Sequence, residues 1–212
     1  MQLKICEIYQ TLMGESTYMG LPCILIRFSG CNLSCSYCDT QYAESDYYFT
    51  TVGEIKKYIS KYYPKRILIS GGEPLKQEHT PSFISALLKE DYQIVLETNG
   101  SLDVSMIEPE VIKIMDLKCP GSGECTSNLF KNLEYLTDKD EIKFVLSDDT
   151  DFEWAVSILK QYNLMEKFEI LFSPVVHLLK PSTLSEWIQK EELDVRLQIQ
   201  LHKNIWGDKR GV

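Results

Sequence analysis

Short β-branched runs alternate with helical periodicity along most of the chain, and that alternation leaves few folds open. Residues 22–29, 66–70, 93–97, 111–115, 141–146 and 167–172 read as strands. Between them, Thr51-Val52-Gly53-Glu54 is a capping box, after which Ile55, Tyr58, Ile59 and Tyr62 share a helical face. Thr80, with Pro81 at the first helical position, opens a helix that turns Phe83, Ile84, Leu87 and Leu88 inward. Thr126 is expected to open a helix carrying Leu129, Leu133 and Leu136. Residues 150–153 cap another, and a last one lies around 184–188. Strands that alternate with helices in this way build βαβ units and a mostly parallel sheet of about six strands. No linker, repeat or low-complexity tract divides the chain, so residues 1–212 are expected to form one α/β domain.

The closing segment has a different period. Val195, Leu197, Ile199 and Leu201 alternate with Arg196, Gln198, Gln200 and His202, which predicts a final strand with one polar face. That face would either be wet at a sheet edge or line a cavity. Trp206-Gly207-Asp208-Lys209-Arg210-Gly211-Val212 would then fold over the cavity mouth.

Charge and hydropathy exclude several classes of function. With 31 acidic residues against 22 basic ones, the net charge of −9 is wrong for a nucleic-acid binder. No run approaches the roughly 20 apolar residues that cross a bilayer. Met1 to Glu7 lacks the apolar stretch of a secretory signal, so a cytoplasmic protein is expected.

Seven cysteines make an odd number, unlike a disulfide framework, and three of them are crowded together. Cys31, Cys35 and Cys38 form C-x3-C-x2-C just after a strand. Three thiolates on one loop can ligate three irons of a 4Fe-4S cluster and leave the fourth iron open. A closed zinc site, completed by Cys23 or Cys119, is the alternative that spacing alone allows. One βα unit later comes Ser70-Gly71-Gly72-Glu73-Pro74, again just after a strand, which puts both loops at the carboxyl face of a parallel sheet. The glycines permit close approach of backbone to a ligand, and Glu73 could accept from an ammonium group.

C-x3-C-x2-C followed by Gly-Gly-Glu-Pro resembles the radical S-adenosylmethionine enzymes. The resemblance implies a partial, TIM-like α/β barrel with a 4Fe-4S cluster at its mouth. The open iron would hold S-adenosylmethionine, and reductive cleavage would yield a 5′-deoxyadenosyl radical. The flanks narrow the choice. Gln10 to Glu15, Gly20-Leu21-Pro22, Arg27, Gly30 to Leu33, Cys38-Asp39-Thr40, Leu96 to Gly100, Asp116-Leu117-Lys118, Gln200 to Lys203 and the closing Trp206 to Val212 resemble the 7-carboxy-7-deazaguanine synthase family. Ser16 stands where that family usually has glycine.

This resemblance implies a lyase that converts 6-carboxy-5,6,7,8-tetrahydropterin to 7-carboxy-7-deazaguanine and ammonia in queuosine biosynthesis. It implies Thr40 as a Mg2+ ligand. Contacts to S-adenosylmethionine would come from Tyr37, Asp39, Gly72, Glu73, Glu97, Asp116, Leu117, Lys118 and Ser173. The substrate would be held by Leu12, Met13, Gly14, Arg27, Ser70, His202 and Val212. A homodimer and an external electron donor such as flavodoxin are implied as well. A glycyl-radical-enzyme activating protein and a non-catalytic zinc or electron-transfer module are the rival readings. The first would need a large protein substrate, whereas Arg27 and the tail suit a small anion.

Overall fold

The structure, a computed structural model, describes residues 2–207 and 209–212; Met1 of the amino-terminal stretch and Asp208 of the closing motif lie outside the described residues. In chain order the elements are β1 (Gln2–Leu12), β2 (Pro22–Phe28), β3 (Tyr48–Thr51), α1 (Val52–Ile59), β4 (Arg66–Gly71), α2 (Thr80–Leu88) and β5 (Gln93–Thr98). They continue with β6 (Ile112–Leu117), β7 (Glu141–Leu146), α3 (Asp149–Tyr162), β8 (Glu169–Pro174), α4 (Pro181–Lys190), β9 (Arg196–Leu197) and α5 (Leu201–Trp206). One sheet holds all nine strands in the order β3-β1-β2-β4-β5-β6-β7-β8-β9. Every pairing from β2 through β9 is parallel, whereas β1 runs antiparallel to both β2 and β3. The edges β3 and β9 are not paired with each other, so the sheet is an unclosed α/β barrel, as the alternation of strands and helices requires.

Strand alternation sorts the apolar residues onto two faces. On the outer face, Ile24, Ile26, Ile67, Ile69, Ile94 and Leu96 meet Ile55 and Ile59 of α1 and Phe83, Ile84 and Leu87 of α2. Ile142, Phe144, Ile170 and Phe172 meet Phe152, Ala155 and Leu159 of α3. The inner face carries a third apolar group: Met13, Cys23, Leu25, Leu68, Val95, Ile112, Ile114 and Leu171. This plug fills the barrel below the site.

Local sequence rules place the helix starts to within a residue or two: His79 rather than Thr80 precedes α2, and Asp148 rather than Thr150 caps α3 by accepting from Asp151 N. The Thr51–Glu54 capping box forms in both directions. Three expectations need correction. Residues 126–136 form 3-10 turns (Cys125–Ser127 and Phe130–Tyr135) rather than an α-helix. The side chains of Asn128 and Asn132 explain this, because they bond the backbone at Lys118, Cys125, Gly100 and Leu102 in place of a regular helical ladder. The segment from Val195 to His202 is not a strand throughout. Only Arg196 and Leu197 pair with β8, and His202 lies in the first turn of α5. The strand ends where Gln198 and Gln200 turn their amides to Ser16 and Glu15. The third correction is β1, an eleven-residue strand absent from the sequence reading. Its alternation is blurred by a register shift between Ile5 and Glu7.

Candidate active site

Two residues beyond the last plug residue of each of five strands, the inner face becomes polar. Leu25 is followed by Arg27, Leu68 by Ser70, Val95 by Glu97, Ile114 by Asp116 and Leu171 by Ser173. Lys143 holds the same level on β7, since it pairs in register with Asp116. A period of two carried across parallel strands thus stacks an ionisable layer directly on an apolar one. Lys143 donates to Glu15 at 2.9 Å and lies 3.8 Å from Asp116. Burial alone would raise the Glu15 carboxyl, but the Lys143 ammonium and a bond from Gln200 hold it below the usual carboxylate range. Glu97, which accepts from Ser70 Oγ at 2.5 Å, is raised by burial despite Lys143. Lys118 Nζ donates to Asp116 Oδ2 at 3.0 Å.

Two atoms of this layer are buried without a hydrogen-bond partner: Asp116 Oδ1 and Ser173 Oγ. A buried acceptor left unpaired costs about 1–3 kcal/mol, so such atoms suit a bound ligand that carries donors. Both belong to the set expected to hold S-adenosylmethionine.

The cysteine loop lies on the rim beside this layer. Asn99 Nδ2 reaches Cys31 Sγ at 3.7 Å, and Leu33 N donates to the same sulfur at 3.4 Å. Tyr37 Oη donates to the Val145 carbonyl at 3.0 Å, which fastens the loop to β7. Burial, the nearby carboxylates and the neighbouring thiols all push the Cys35 and Cys38 thiols up. A bound cation would have to offset this by stabilising the thiolates. Among the described residues no three side chains of His, Cys, Asp or Glu converge on a point that would hold a single ion. Three thiols on one loop fit a cube, which takes one thiolate per corner, whereas a closed tetrahedral zinc would need a fourth ligand.

Glu73 is fully buried and faces inward. Its carboxylate accepts from Leu75 N at 2.9 Å, Thr98 Oγ1 at 3.0 Å and Asn99 N at 2.7 Å, so its oxygens are engaged within the fold. What it fixes is the Gly71-Gly72 turn. A Cβ on Gly72 would sit 2.4 Å from the Gly30 carbonyl, so only glycine lets this turn pass behind the cysteine loop.

On the other side of the layer, Arg27 Nε donates to Glu7 at 2.6 Å, and its guanidinium lies over Tyr42. Tyr42 Oη also donates to Glu7, and Arg210 stacks on the Tyr42 ring at 3.6 Å. Leu12-Met13-Gly14 leads out of β1, and the Gly14 carbonyl accepts from Leu201 N at 2.9 Å. The His202 imidazole occupies the space a Gly14 side chain would need, with Nδ1 2.1 Å from the position of that Cβ. Burial pushes the His202 imidazole below its ordinary value. The expected juncture of this turn with His202 therefore exists, although a helix rather than a strand supplies the histidine. Val212 is placed elsewhere. Its oxygen accepts from Thr11 Oγ1 at 2.7 Å, beside Leu12 and Trp206 and well down β1 from Glu7.

Thr40 donates its hydroxyl to Asp39 at 2.8 Å; Asp39 in turn accepts from Lys203 at 2.9 Å and Gln200 at 3.2 Å. Although burial opposes it, Lys203 and these hydrogen bonds lower the Asp39 carboxyl well below its ordinary range. Ser16 is buried, with φ of +75°, the left-handed backbone that glycine favours. Sequence reasoning missed Glu7, Glu15, Tyr42 and Lys143. Lys143, a lone cation inside the apolar strand 141–146, was the one signal available.

The chain was compared with known proteins. The profile of the Radical SAM superfamily matches residues 25–117. A 7-carboxy-7-deazaguanine synthase from Koribacter versatilis is 39% identical, over 96% of this chain and 97% of that one. The enzyme of the same name from Chlorobaculum tepidum is 38% identical over 99% and 97%, and that from Clostridium acetobutylicum 37% identical over all of both chains. Among solved structures, QueE from Escherichia coli superposes with a TM-score of 0.76 over 94% of each chain, at 23% identity, a likeness of fold.

Proposed function

This chain belongs to the 7-carboxy-7-deazaguanine synthases of the radical S-adenosylmethionine superfamily, and from that premise we propose that it converts 6-carboxy-5,6,7,8-tetrahydropterin to 7-carboxy-7-deazaguanine and ammonia on the route to queuosine. The observation that carries the reading is the polar layer, in which Arg27, Ser70, Glu97, Asp116 and Ser173 stand over an apolar plug with three cysteines on the rim. Cys31, Cys35 and Cys38 would hold the 4Fe-4S cluster. When bound, the reduced cluster and its S-adenosylmethionine supply one-electron hydrogen abstraction.

The residues divide by side. Asp116 Oδ1 and Ser173 Oγ, both unpartnered, are assigned to the cofactor half together with Leu117, Lys118, Tyr37 and, from the loop beside Lys203, Asp39. Glu73, held by Leu75, Thr98 and Asn99, keeps a lone pair for an ammonium donor of the cofactor and shapes the Gly72 turn. Arg27 supplies N–H donors for the substrate carboxylate beyond the Nε that is bonded to Glu7. Glu97 goes to the substrate half because it is bonded to Ser70. Raised by burial, it can hold a proton within reach of a bound pterin. Met13 closes the floor, and Leu12, Gly14 and His202 form a wall. Val212, bonded to Thr11 next to Leu12, supports that wall from behind.

Mg2+ belongs to the same reading, with Thr40 as its protein ligand. The hydroxyl proton is taken by Asp39, which leaves the oxygen lone pairs free for an ion completed by water and substrate oxygens. A homodimer and a flavodoxin-like donor follow from the family relation. Residues 1–212 are read as one domain because one sheet runs through them. No helix among the described residues is long and apolar enough to cross a membrane.

The test is anaerobic incubation of the iron- and sulfide-reconstituted protein with the carboxytetrahydropterin, S-adenosylmethionine, Mg2+ and dithionite. The expected result is the deazapurine acid, identified by mass. Cofactor cleavage without that product would overturn the substrate assignment, and a zinc-only protein would overturn the cluster.

A further inference from the structure

The Gly-Ser-Gly segment at 121–123 belongs to no part of the site described above, yet the cysteine loop is fastened to it. Ser36 N donates to the Ser122 carbonyl at 2.9 Å, and Ser36 Oγ donates to the Gly121 carbonyl at 2.7 Å. Ser34 N donates to Glu124 Oε1 at 2.7 Å. Ser34 and Ser36 flank Cys35, so both neighbours of the central thiol are held by one strip, Cys119 to Glu124.

The strip itself is pinned from below. Asp151, fully buried in the first turn of α3, accepts from Gly121 N at 2.7 Å, Ser147 N at 2.8 Å and Ser147 Oγ at 2.6 Å. A Cβ on Gly121 would lie 2.2 Å from Ser147 Oγ and 2.6 Å from Asp151 Oδ2, so the strip reaches this carboxylate only with glycine there. Ser122 Oγ is tied back to the Cys119 carbonyl at 2.6 Å and accepts from Glu124 N at 3.0 Å. The strip starts directly after Lys118, the last residue of the expected cofactor segment.

We propose that Glu124 and Asp151 are positioning residues for the iron–sulfur cluster: through the strip 119–124 they hold the loop around Cys35 in its ligating conformation. The inference rests on the reading of Cys31, Cys35 and Cys38 as cluster ligands. Partners of this kind, one shell out from a metal, orient its ligands and slow its loss. They lie outside the C-x3-C-x2-C pattern, so no motif search would find them.

Three variants test it: Glu124→Ala, Glu124→Gln and Gly121→Ala. Glu124 lies at the surface edge of the strip, so its replacement spares the core, and the glutamine keeps a carbonyl oxygen for Ser34 N. The reconstituted protein is challenged with an iron chelator under argon. Iron release is followed by absorbance, the reduced cluster by its EPR signal, and the fold by far-UV circular dichroism.

For Glu124→Ala, iron release is expected to be about three- to tenfold faster than in the parent, the equivalent of one ordinary hydrogen bond lost at a half-buried site. The EPR signal should broaden while the melting temperature stays put. Glu124→Gln should return release to within about twofold of the parent. Gly121→Ala should load iron poorly with an unchanged dichroism spectrum at 20 °C. Iron release and EPR in Glu124→Ala identical to the parent would overturn the proposal, and so would glutamine failing to rescue. A parent protein that never loads iron is a different outcome, because it refutes the cluster reading itself.

Discussion

Replacing Lys143 by methionine tests whether the ionisable layer is an electrostatic unit. The substitution keeps the side-chain length and removes one charge that faces Glu15 at 2.9 Å and Asp116 at 3.8 Å, with Glu97 close by. Breaking a buried pair from one side costs about 3–5 kcal/mol, because the remaining charge stays desolvated. Lys143 and Glu15 are each 13% exposed, so some water reaches them and the lower end, about 3 kcal/mol, applies. For a chain of this size each kcal/mol moves the melting temperature by about 2–4 °C, so a fall of about 6–12 °C is expected at pH 7.5.

The pH dependence carries the sharper test. Lys143 is raised above its ordinary value, so its contribution is complete at every pH below about 10. Glu15 is lowered, so its contribution holds above the normal carboxylate range and fades as pH falls through that range. Glu97 is raised, so its own contribution runs the other way and is lost as pH rises. Without Lys143, burial dominates both glutamates and both titrate upward. Acid should then stabilise the variant through both glutamates and the parent through Glu97 alone, so the gap should narrow by about pH 5.0. Lys143→Arg, which restores the charge, should recover most of the loss. Calorimetry or circular dichroism at the two pH values is sufficient. A shift below 3 °C, or one of the same size at both pH values, would refute this account of the layer.

Three other outcomes are expected. Alanine at Cys31, Cys35 or Cys38 should abolish cluster loading and cofactor cleavage, whereas Cys6→Ala and Cys23→Ala should keep both; iron content and 5′-deoxyadenosine release measure this. Thr40→Ala should leave iron content unchanged while flattening the dependence of turnover on Mg2+ concentration. An unaltered magnesium titration would remove Thr40 as ligand. Deletion of Gly211 and Val212 frees the Thr11 hydroxyl and one side of Leu12, and the loss of about 1 kcal/mol there should raise the substrate KM roughly fivefold. Uncoupled cofactor cleavage should not change, and a KM equal to the parent's would show the tail contact to be dispensable.

What could be read from the sequence follows physical range. The strands of the parallel sheet were legible because each is a short apolar run whose burial on both faces is written in consecutive residues. The Thr51–Glu54 box was legible because a cap is made by neighbours. Residues 126–136 were not, since the choice between helix and 3-10 turns depends on Asn128 and Asn132 bonding Lys118 and Gly100, partners outside the segment. Residues 198–202 failed for the same reason. Their period of two is real in the sequence, but Gln198 is taken by Ser16 and Gln200 by Glu15 from the far end of the chain.

The site shows the same division. The cysteines and the Gly-Gly turn are local motifs, whereas the layer above the plug exists only in register, one residue per strand. A single polar residue two places after an apolar one is ordinary in any strand. Five of them, with Lys143 at the same level, become a cavity lining only when parallel pairing aligns them. Glu73 makes the point from the other direction. The motif suggests a ligand contact, and the structure shows what holds the carboxylate in place beforehand: it accepts from Leu75, Thr98 and Asn99. Its place in the motif is explained by the turn it holds, since the close pass of Gly72 behind Gly30 is what brings the glycine backbone and the cysteine loop to one rim.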